Sequence, residues 1–193
     1  MLSYEMNRHE VTAVVVIRGE TPLHKEILES LDGFSALIVW DNSQQDNLRV
    51  YGRYMAALQA PTAVVYTQDD DCILPISSQQ AILDAWEPGH YVANMPEGRR
   101  WEYSDGIALI GYGACFGTKS ITPTFDRWRA HWPIDELFHR QCDRIFTALN
   151  RDILVDVPYT NLPDAMAGNR MWRETRHLHD LSLVRQRLAK IRL

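Results

Sequence analysis

The sequence predicts an α/β fold with a mostly parallel central sheet flanked by helices. Over the first half of the chain, continuous runs of apolar and β-branched residues alternate with amphipathic segments. Such runs are typical of strands buried on both faces of a parallel sheet. The runs also end in polar or charged residues, and ligands bind at the carboxyl ends of the strands in sheets of this kind. The length of 193 residues corresponds to a single domain.

The first run, residues 11–17, predicts a buried strand, and residues 22–31 predict the helix that follows it. Thr21 suits the N-cap of this helix and Pro22 its first position. The same alternation continues along the chain, with strands predicted at 35–40, 62–67 and 90–96, and helices at 48–59 and 77–88. Repeated strand–helix units indicate right-handed crossovers between parallel strands.

The second half of the chain is less regular. Residues 106–121 are apolar and rich in glycine, which indicates a strand that another backbone or a ligand approaches closely. The apolar positions of residues 133–150 recur at helical spacing and predict an amphipathic helix. Residues 152–159 predict a short strand, and residues 181–193 a basic amphipathic helix.

The charge is unevenly distributed. The whole chain has a net charge of −5, but residues 170–193 contain seven basic and two acidic side chains, so the remainder is strongly acidic. A basic tail of this kind indicates contact with phosphate, nucleic acid or a membrane surface. A helix with a solvated basic face explains the same composition equally well.

The cysteines and the absence of long apolar segments predict a cytoplasmic protein. Cys72, Cys115 and Cys142 are odd in number and widely spaced, which indicates reduced thiols, and neither a disulfide framework nor a zinc site. No segment has the length and composition of a signal peptide or a membrane span.

Three consecutive aspartates, Asp69, Asp70 and Asp71, follow the third predicted strand. In an extended segment Asp69 and Asp71 point the same way and could face one ion. Carboxylate oxygens suit Mg²⁺ or Mn²⁺, which usually complete their coordination with substrate phosphates and water. A solvated acidic turn is the alternative. The buried strand before the aspartates and the apolar residues after them favour a metal site that binds a nucleotide diphosphate.

An acidic second strand end followed by a DxD motif resembles the nucleotide-sugar half of a GT-A (Rossmann-like) glycosyltransferase. The resemblance is strongest to the exostosin-like glycosyltransferases, whose motifs are matched in order by "LIVWDN", Arg53 and "YTQDDDCI". A later strand and helix of that family are matched by "GYGACFGTKSI" and "RQCDRIFTAL". The match covers about residues 10–180. It departs from the family at Cys142, which replaces the glutamate of a Glu–Asp pair, and the chain is shorter than most members.

The resemblance implies one GT-A domain over 1–193 with three parts. Residues 10–100 are the nucleotide-sugar-binding half, residues 101–166 the acceptor and catalytic half, and residues 167–193 a basic segment and helix that close over the donor. The three aspartates are then divided between two tasks. Asp71, with Asp69, binds the divalent ion that bridges the diphosphate, and Asp69 and Asp70 contact the ribose or the donor sugar.

The resemblance also implies roles for residues outside the aspartates. Arg18 and Asp41 line the base and ribose pocket, although a rim ion pair for Arg18 and an Asx-turn for Asp41 are the alternatives. Arg53 orients the aspartates or contacts the donor, unless it is a surface residue. Asp143 is the catalytic carboxylate, acting as a base or shielding an oxocarbenium-like centre. A solvated helix residue is its alternative.

The segment 167–180 falls where many GT-A enzymes place a metal-binding histidine and a phosphate-binding arginine. His177 is the predicted metal ligand, with His179 as the alternative. Arg173 and Arg176 would stabilise the leaving diphosphate, and Gly168 would act as a hinge. Trp101, and after it Tyr103, would stack on the sugar or the base, although packing is the commoner role of an aromatic residue.

The sequence therefore predicts a Mn²⁺- or Mg²⁺-dependent hexosyltransferase. It transfers a sugar from a nucleotide diphosphate donor, with a UDP-sugar and retention of configuration favoured by the resemblance. The acceptor is a glycan, a protein, a small molecule or a hydroxylated base in DNA. A nucleotidyltransferase is one alternative, disfavoured because "RGETPLHK" contains a single glycine. A non-catalytic nucleotide- or sugar-binding module of the same fold is the other. The oligomeric state is not predicted.

Overall fold

The structure is a computed structural model that describes residues 6–17, 24–96, 107–162 and 176–191. Strands and helices alternate through most of this part of the chain. The strands are β1 (Thr12–Ile17), β2 (Ala36–Asp41), β3 (Val64–Asp69), β4 (Cys72–Ile73), β5 (His90–Asn94), β6 (Ala114–Gly117), β7 (Arg151–Val155) and β8 (Thr160–Asn161). The helices are α1 (Lys25–Ser30), α2 (Gly52–Ala57), α3 (Ile76–Asp84), α4 (Ile121–Arg129), α5 (Glu136–Leu149) and α6 (His177–Ile191).

The central sheet has six strands in the order β2-β1-β3-β6-β5-β7. Strand β1 pairs in parallel with β2 and β3, and β5 pairs in parallel with β7. Only β6 runs antiparallel to its neighbours in this sheet. The predicted mostly parallel α/β architecture is confirmed. The carboxyl ends of β1, β2 and β3 meet at one edge, called here the carboxyl edge, where Ile17 is level with Asp41 and Val16 with Asp69.

Helices cover both faces of the sheet because its strands are apolar on both sides. Along β1, Val14 packs into one core cluster, and Ala13 and Val15 pack into the other, as the alternation of a strand requires. The first cluster contains residues of α2, α4, α5 and α6, and is rich in aromatic rings. The second contains residues of α1 and α3. Helices α2 and α5 both contribute to the first cluster, so they lie on the same face of the sheet.

Helix α6 is attached to the first layer partly through its basic residues. The guanidinium of Arg187 lies 5.0 Å from the Trp132 ring centroid, and the Lys190 ammonium lies 5.4 Å from it. Arg187 also lies 3.6 Å from a carboxylate oxygen of Asp135. These basic residues of the tail therefore pack against the chain itself. No helix in the described ranges is long and apolar enough to cross a membrane.

Element boundaries differ from the predicted ones at several points. Strand β3 extends two residues further than predicted and includes Asp69, and α6 begins at His177. Helix α1 begins at Lys25 with His24 at its N-cap position, whereas the predicted N-cap Thr21 and first helical position Pro22 lie outside the described residues. In the predicted helix 48–59, a 3-10 turn over Arg49–Tyr51 precedes α2.

Candidate active site at the carboxyl edge

The first turn of α2 lies close to β2 because Gly52 has no side chain. A Cβ atom at Gly52 would overlap the ring of Trp40. This close approach brings the next two residues, Arg53 and Tyr54, to the sheet, where their relative exposures are 1% and 0%. Sequence reasoning assigned Trp40 to packing, and this packing fixes the position of α2.

Asp69 ends β3 at the carboxyl edge, and a glycine makes room for its side chain. Its backbone N–H donates to the carbonyl of Gly111 at 2.8 Å. A Cβ at Gly111 would overlap the Asp69 carboxylate, so the carboxylate lies directly against the Gly111 backbone. Arg53 donates from Nη2 to Asp69 Oδ1 at 2.5 Å. This contact supports the predicted orienting role of Arg53 and excludes the surface alternative.

Asp143 on α5 joins the same group of side chains. Its Oδ1 accepts a hydrogen bond of 3.0 Å from the Tyr54 hydroxyl. The Nε of Arg53 lies 3.6 Å from the same oxygen. Arg53 is therefore shared between two carboxylates, one from β3 and one from α5. We call Arg53, Tyr54, Asp69 and Asp143 the arginine cluster.

Burial and charge act in opposite directions on this cluster. Burial alone would lower the pKa of Arg53, but Asp143 and Asp69 more than reverse this effect, so the guanidinium stays charged. Burial raises the pKa of Asp143 above its ordinary value, and the attraction of Arg53 only partly offsets this. Burial, followed by the Asp143 charge, holds the pKa of Tyr54 well above its usual value, so the phenol remains a donor.

The other two aspartates, Asp70 and Asp71, form a turn directly after β3. The prediction that Asp69 and Asp71 point the same way assumed an extended segment, and the structure has a turn there instead. Both side chains are half-buried. The second half of the chain stabilises this turn: β4, directly after it, pairs with β8, and the N–H of Leu162 donates to the Asp71 carbonyl at 2.7 Å.

Asp41 ends β2 at the carboxyl edge and caps the loop that follows. Its Oδ1 accepts hydrogen bonds from the N–H of Ser43 at 2.8 Å and from its hydroxyl at 2.7 Å. These bonds, the hydroxyl bond first, lower the pKa of Asp41. Asn42 then binds the backbone of Leu48 and Arg49. Asp41 therefore forms an Asx-turn, as the alternative to a ligand-binding role required, and a ribose contact by Asp41 stays a prediction.

The predicted phosphate and metal residues near α6 lie at its first turn. Arg176 donates from Nε to Asp180 at 3.2 Å, and Asp180, 2% exposed, also accepts from Arg140 at 2.9 Å. His177 is half-buried and His179 is exposed. In the described part of the chain, no three His, Cys, Asp or Glu residues are gathered closely enough to hold a metal alone. The roles of these residues stay predictions.

Several predicted site residues lie outside the described ranges: Arg18, Trp101, Tyr103, Gly168 and Arg173. The structure brings together Arg53, Asp69 and Asp143 of the predicted set. It adds Tyr54 and Gly111, which sequence reasoning did not assign to the site. For Gly111, the glycine-rich stretch gave a signal of close approach. For Tyr54, no local pattern distinguishes it from a core residue.

The three cysteines are free and buried, as expected for reduced thiols. Cys72 lies under the aspartate turn, with Sγ 3.2 Å from the Gly111 carbonyl oxygen. Burial holds its pKa well above the usual thiol value, with Asp69 and Asp71 adding to the shift. The thiol therefore packs beneath the site as a neutral group.

The sequence matches no family model and no curated protein. The fold, in contrast, is similar to solved structures. One is a glucosyl-3-phosphoglycerate synthase from Mycobacterium tuberculosis in complex with Mg²⁺ and UDP, at 13% identity and a TM-score of 0.50 over 93% of this chain and 79% of that one. Another is a mannosyltransferase from Pyrobaculum calidifontis in complex with GDP-Man and Mn²⁺, at 16% identity and a TM-score of 0.52 over 91% of this chain. The match spans 64% of that mannosyltransferase. At these identities the similarity shows the GT-A-like α/β fold alone.

Proposed function

We propose that the protein is a divalent-metal-dependent glycosyltransferase, which transfers a sugar from a nucleotide diphosphate donor to an acceptor hydroxyl. The observation that carries this proposal is the arginine cluster at the carboxyl edge. It places a strand-end aspartate and a second, half-buried carboxylate around one guanidinium, at the edge where α/β sheets bind ligands. The similarity in fold to two glycosyltransferases supports the same reaction class.

The aspartates fit a divalent metal whose remaining ligands would come from a substrate and water. Asp69 is 42% exposed although one of its oxygens contacts Arg53. Asp70 and Asp71 follow it in the turn, and carboxylate oxygens are the ligands that Mg²⁺ and Mn²⁺ prefer. A bound diphosphate would supply further oxygens, so three clustered protein ligands are not required. When bound, the metal would neutralise charge on the leaving diphosphate.

The described residues divide into two groups under this proposal. On the donor side, Arg53 holds Asp69 in place, and Asp71 and Asp69 together would bind the metal. Asp143 acts at the acceptor side, as a base for the attacking hydroxyl or as a negative charge near the anomeric carbon. A raised pKa suits a carboxyl group that must accept a proton near neutral pH.

The donor and the acceptor are proposed at class level only. The two similar structures bind different nucleotides, UDP in one and GDP-Man in the other. The preference for a UDP-sugar therefore rests on the exostosin-like resemblance. For the acceptor, Arg176, Arg187 and Lys190 each contact other side chains of this chain, which gives part of the basic tail a structural role and weakens the case for DNA. A glycan or a small hydroxylated molecule is favoured.

Calorimetric titration tests the donor site. UDP and GDP are each titrated into the protein with Mn²⁺ and with EDTA. We expect binding that requires Mn²⁺, is lost in Asp71→Ala and is retained in Asp126→Ala, which removes an exposed carboxylate on α4. The absence of nucleotide binding in the presence of Mn²⁺ would contradict the proposal. Release of UDP or GDP from UDP-glucose or GDP-mannose then distinguishes an enzyme from a module that only binds.

A further inference from the structure

The hydroxyl of Tyr54 has one partner in the described part of the chain, the Oδ1 of Asp143 at 3.0 Å. The Tyr54 ring is fully buried and packs against Phe116, Phe125 and Phe146, with centroids 5.6, 4.9 and 5.1 Å away. Phenylalanine would fill the same space without burying a polar group. Packing therefore accounts for the ring but not for the hydroxyl.

The contacts to Asp143 are one-sided. The Tyr54 hydroxyl and the Arg53 Nε both approach Oδ1, at 3.0 and 3.6 Å. No contact from a described residue to Oδ2 accompanies them. The side chain keeps 16% exposure despite its place in the core layer. One carboxylate oxygen is thus held by α2, and among the described residues no contact to the other oxygen accompanies it.

We propose that Tyr54 is a positioning residue for the reaction: its hydroxyl fixes Oδ1 of Asp143 and so presents Oδ2 to the acceptor hydroxyl. This inference rests on the proposed function. The rigid Tyr54 ring fixes the position of its own hydroxyl group, because the aromatic neighbours pack closely around the ring. A fixed carboxylate needs no reorientation when the acceptor binds, and misplaced catalytic groups lose large factors in rate.

The hydrogen bond from Tyr54 also favours the charged form of Asp143. Without it, the pKa of Asp143 would rise further above its ordinary value, since burial already raises it. The other charged and titratable groups that act with Asp143 are Arg53, Asp69, Arg144 and Cys142. None of them changes in a Tyr54→Phe variant, so the variant isolates the hydroxyl.

The test compares Tyr54→Phe with Tyr91→Phe, which removes the hydroxyl of another buried tyrosine in the same aromatic layer. Hydrolysis of UDP-glucose and GDP-mannose is measured from pH 5 to 9 with Mn²⁺, alongside nucleotide affinity by calorimetry. We expect the Tyr54→Phe rate to fall about tenfold or more, and the acidic limb of its profile to move to higher pH. Nucleotide affinity should stay within about twofold, and Tyr91→Phe should resemble the wild type.

A double-mutant comparison separates positioning from a general effect on the fold. In an Asp143→Asn background, the Tyr54→Phe change should have little additional effect on the rate, because its partner carboxylate is already gone. Additive losses would overturn the inference, and so would a Tyr54→Phe profile equal to that of the wild type. Failure of the wild type to bind either nucleotide or release product overturns the proposed function as well, and this outcome is visible before any variant is made.

Discussion

Replacing Arg53 by methionine should destabilise the fold by leaving Asp143 unpaired. The Arg53 side chain is 1% exposed, Asp143 16% and Asp69 42%. Removing one partner of a buried ion pair typically costs about 3–5 kcal/mol, because the remaining charge stays out of water. Asp69 can be rehydrated, so the loss falls mainly on Asp143. We expect the lower end of the range, about 3 kcal/mol, which for this chain length lowers Tm by roughly 6–12 °C.

The loss should depend on pH in a known direction. Asp143 can escape an unpaired charge by taking up a proton, so Arg53→Met should lose less stability at pH 5 than at pH 7. Urea unfolding followed by circular dichroism measures both values. Arg53→Lys should lose less stability than Arg53→Met, because it keeps the positive charge. It should still be less stable than the wild type, because an ammonium group cannot contact both carboxylates.

The pairing is tested by removing the second charge. Arg53→Met combined with Asp143→Asn should recover much of the lost stability, because no uncompensated carboxylate is then buried. Equal unfolding free energies for the wild type and Arg53→Met at pH 7 would refute the buried charge pair. A double variant no more stable than Arg53→Met alone would refute the assignment of the penalty to Asp143.

Three further predictions follow from the site and its supports. Gly111→Ala should displace the Asp69 carboxylate and weaken Mn²⁺-dependent nucleotide binding about tenfold or more in calorimetry, whereas Gly117→Ala, where a Cβ meets only ordinary contacts, should not. The difference in stability between Asp143→Asn and the wild type should shift in favour of the variant as the pH rises from about 4. The pKa of Asp143 is raised in the folded protein, so the wild type loses stability as this carboxyl group ionises, whereas asparagine does not ionise. Thermal unfolding from about pH 4 to 7 measures this difference. Asp180→Asn should lower the urea unfolding free energy by about 3 kcal/mol, since it breaks the buried ion pair between Asp180 and Arg140, and an unchanged value would contradict this account of how α6 is attached.

The central strands could be predicted because burial on both faces leaves a continuous apolar run in the sequence. Strand β1 was predicted within one residue, and β2 and β3 within two. The two-residue strands β4 and β8 could not, because only their mutual pairing defines them. The antiparallel direction of β6 was not predicted either, since strand direction is set by the path of the chain and not by local composition.

The candidate site was predicted from carboxylates at strand ends and from a family resemblance. These signals identified Asp69, Arg53 and Asp143, which the structure places in one cluster. They could not identify Tyr54, because a buried tyrosine beside an arginine looks like any core residue until its hydroxyl finds a partner. The extended segment assumed for Asp69–Asp71 was wrong, because a turn, and not a strand, follows Asp69.

The pairing of β4 with β8 has a consequence for the order in which the site forms during synthesis. Cys72 and Asn161 come from opposite halves of the chain, so the aspartate turn leaves the ribosome long before the segment that holds it. Pairing across so long a loop costs closure entropy, which the contacts of the intervening sheet and α5 offset. The nascent first half can therefore form β1, β2 and β3 without a finished site. The proposed nucleotide site is therefore complete only when the C-terminal half has folded.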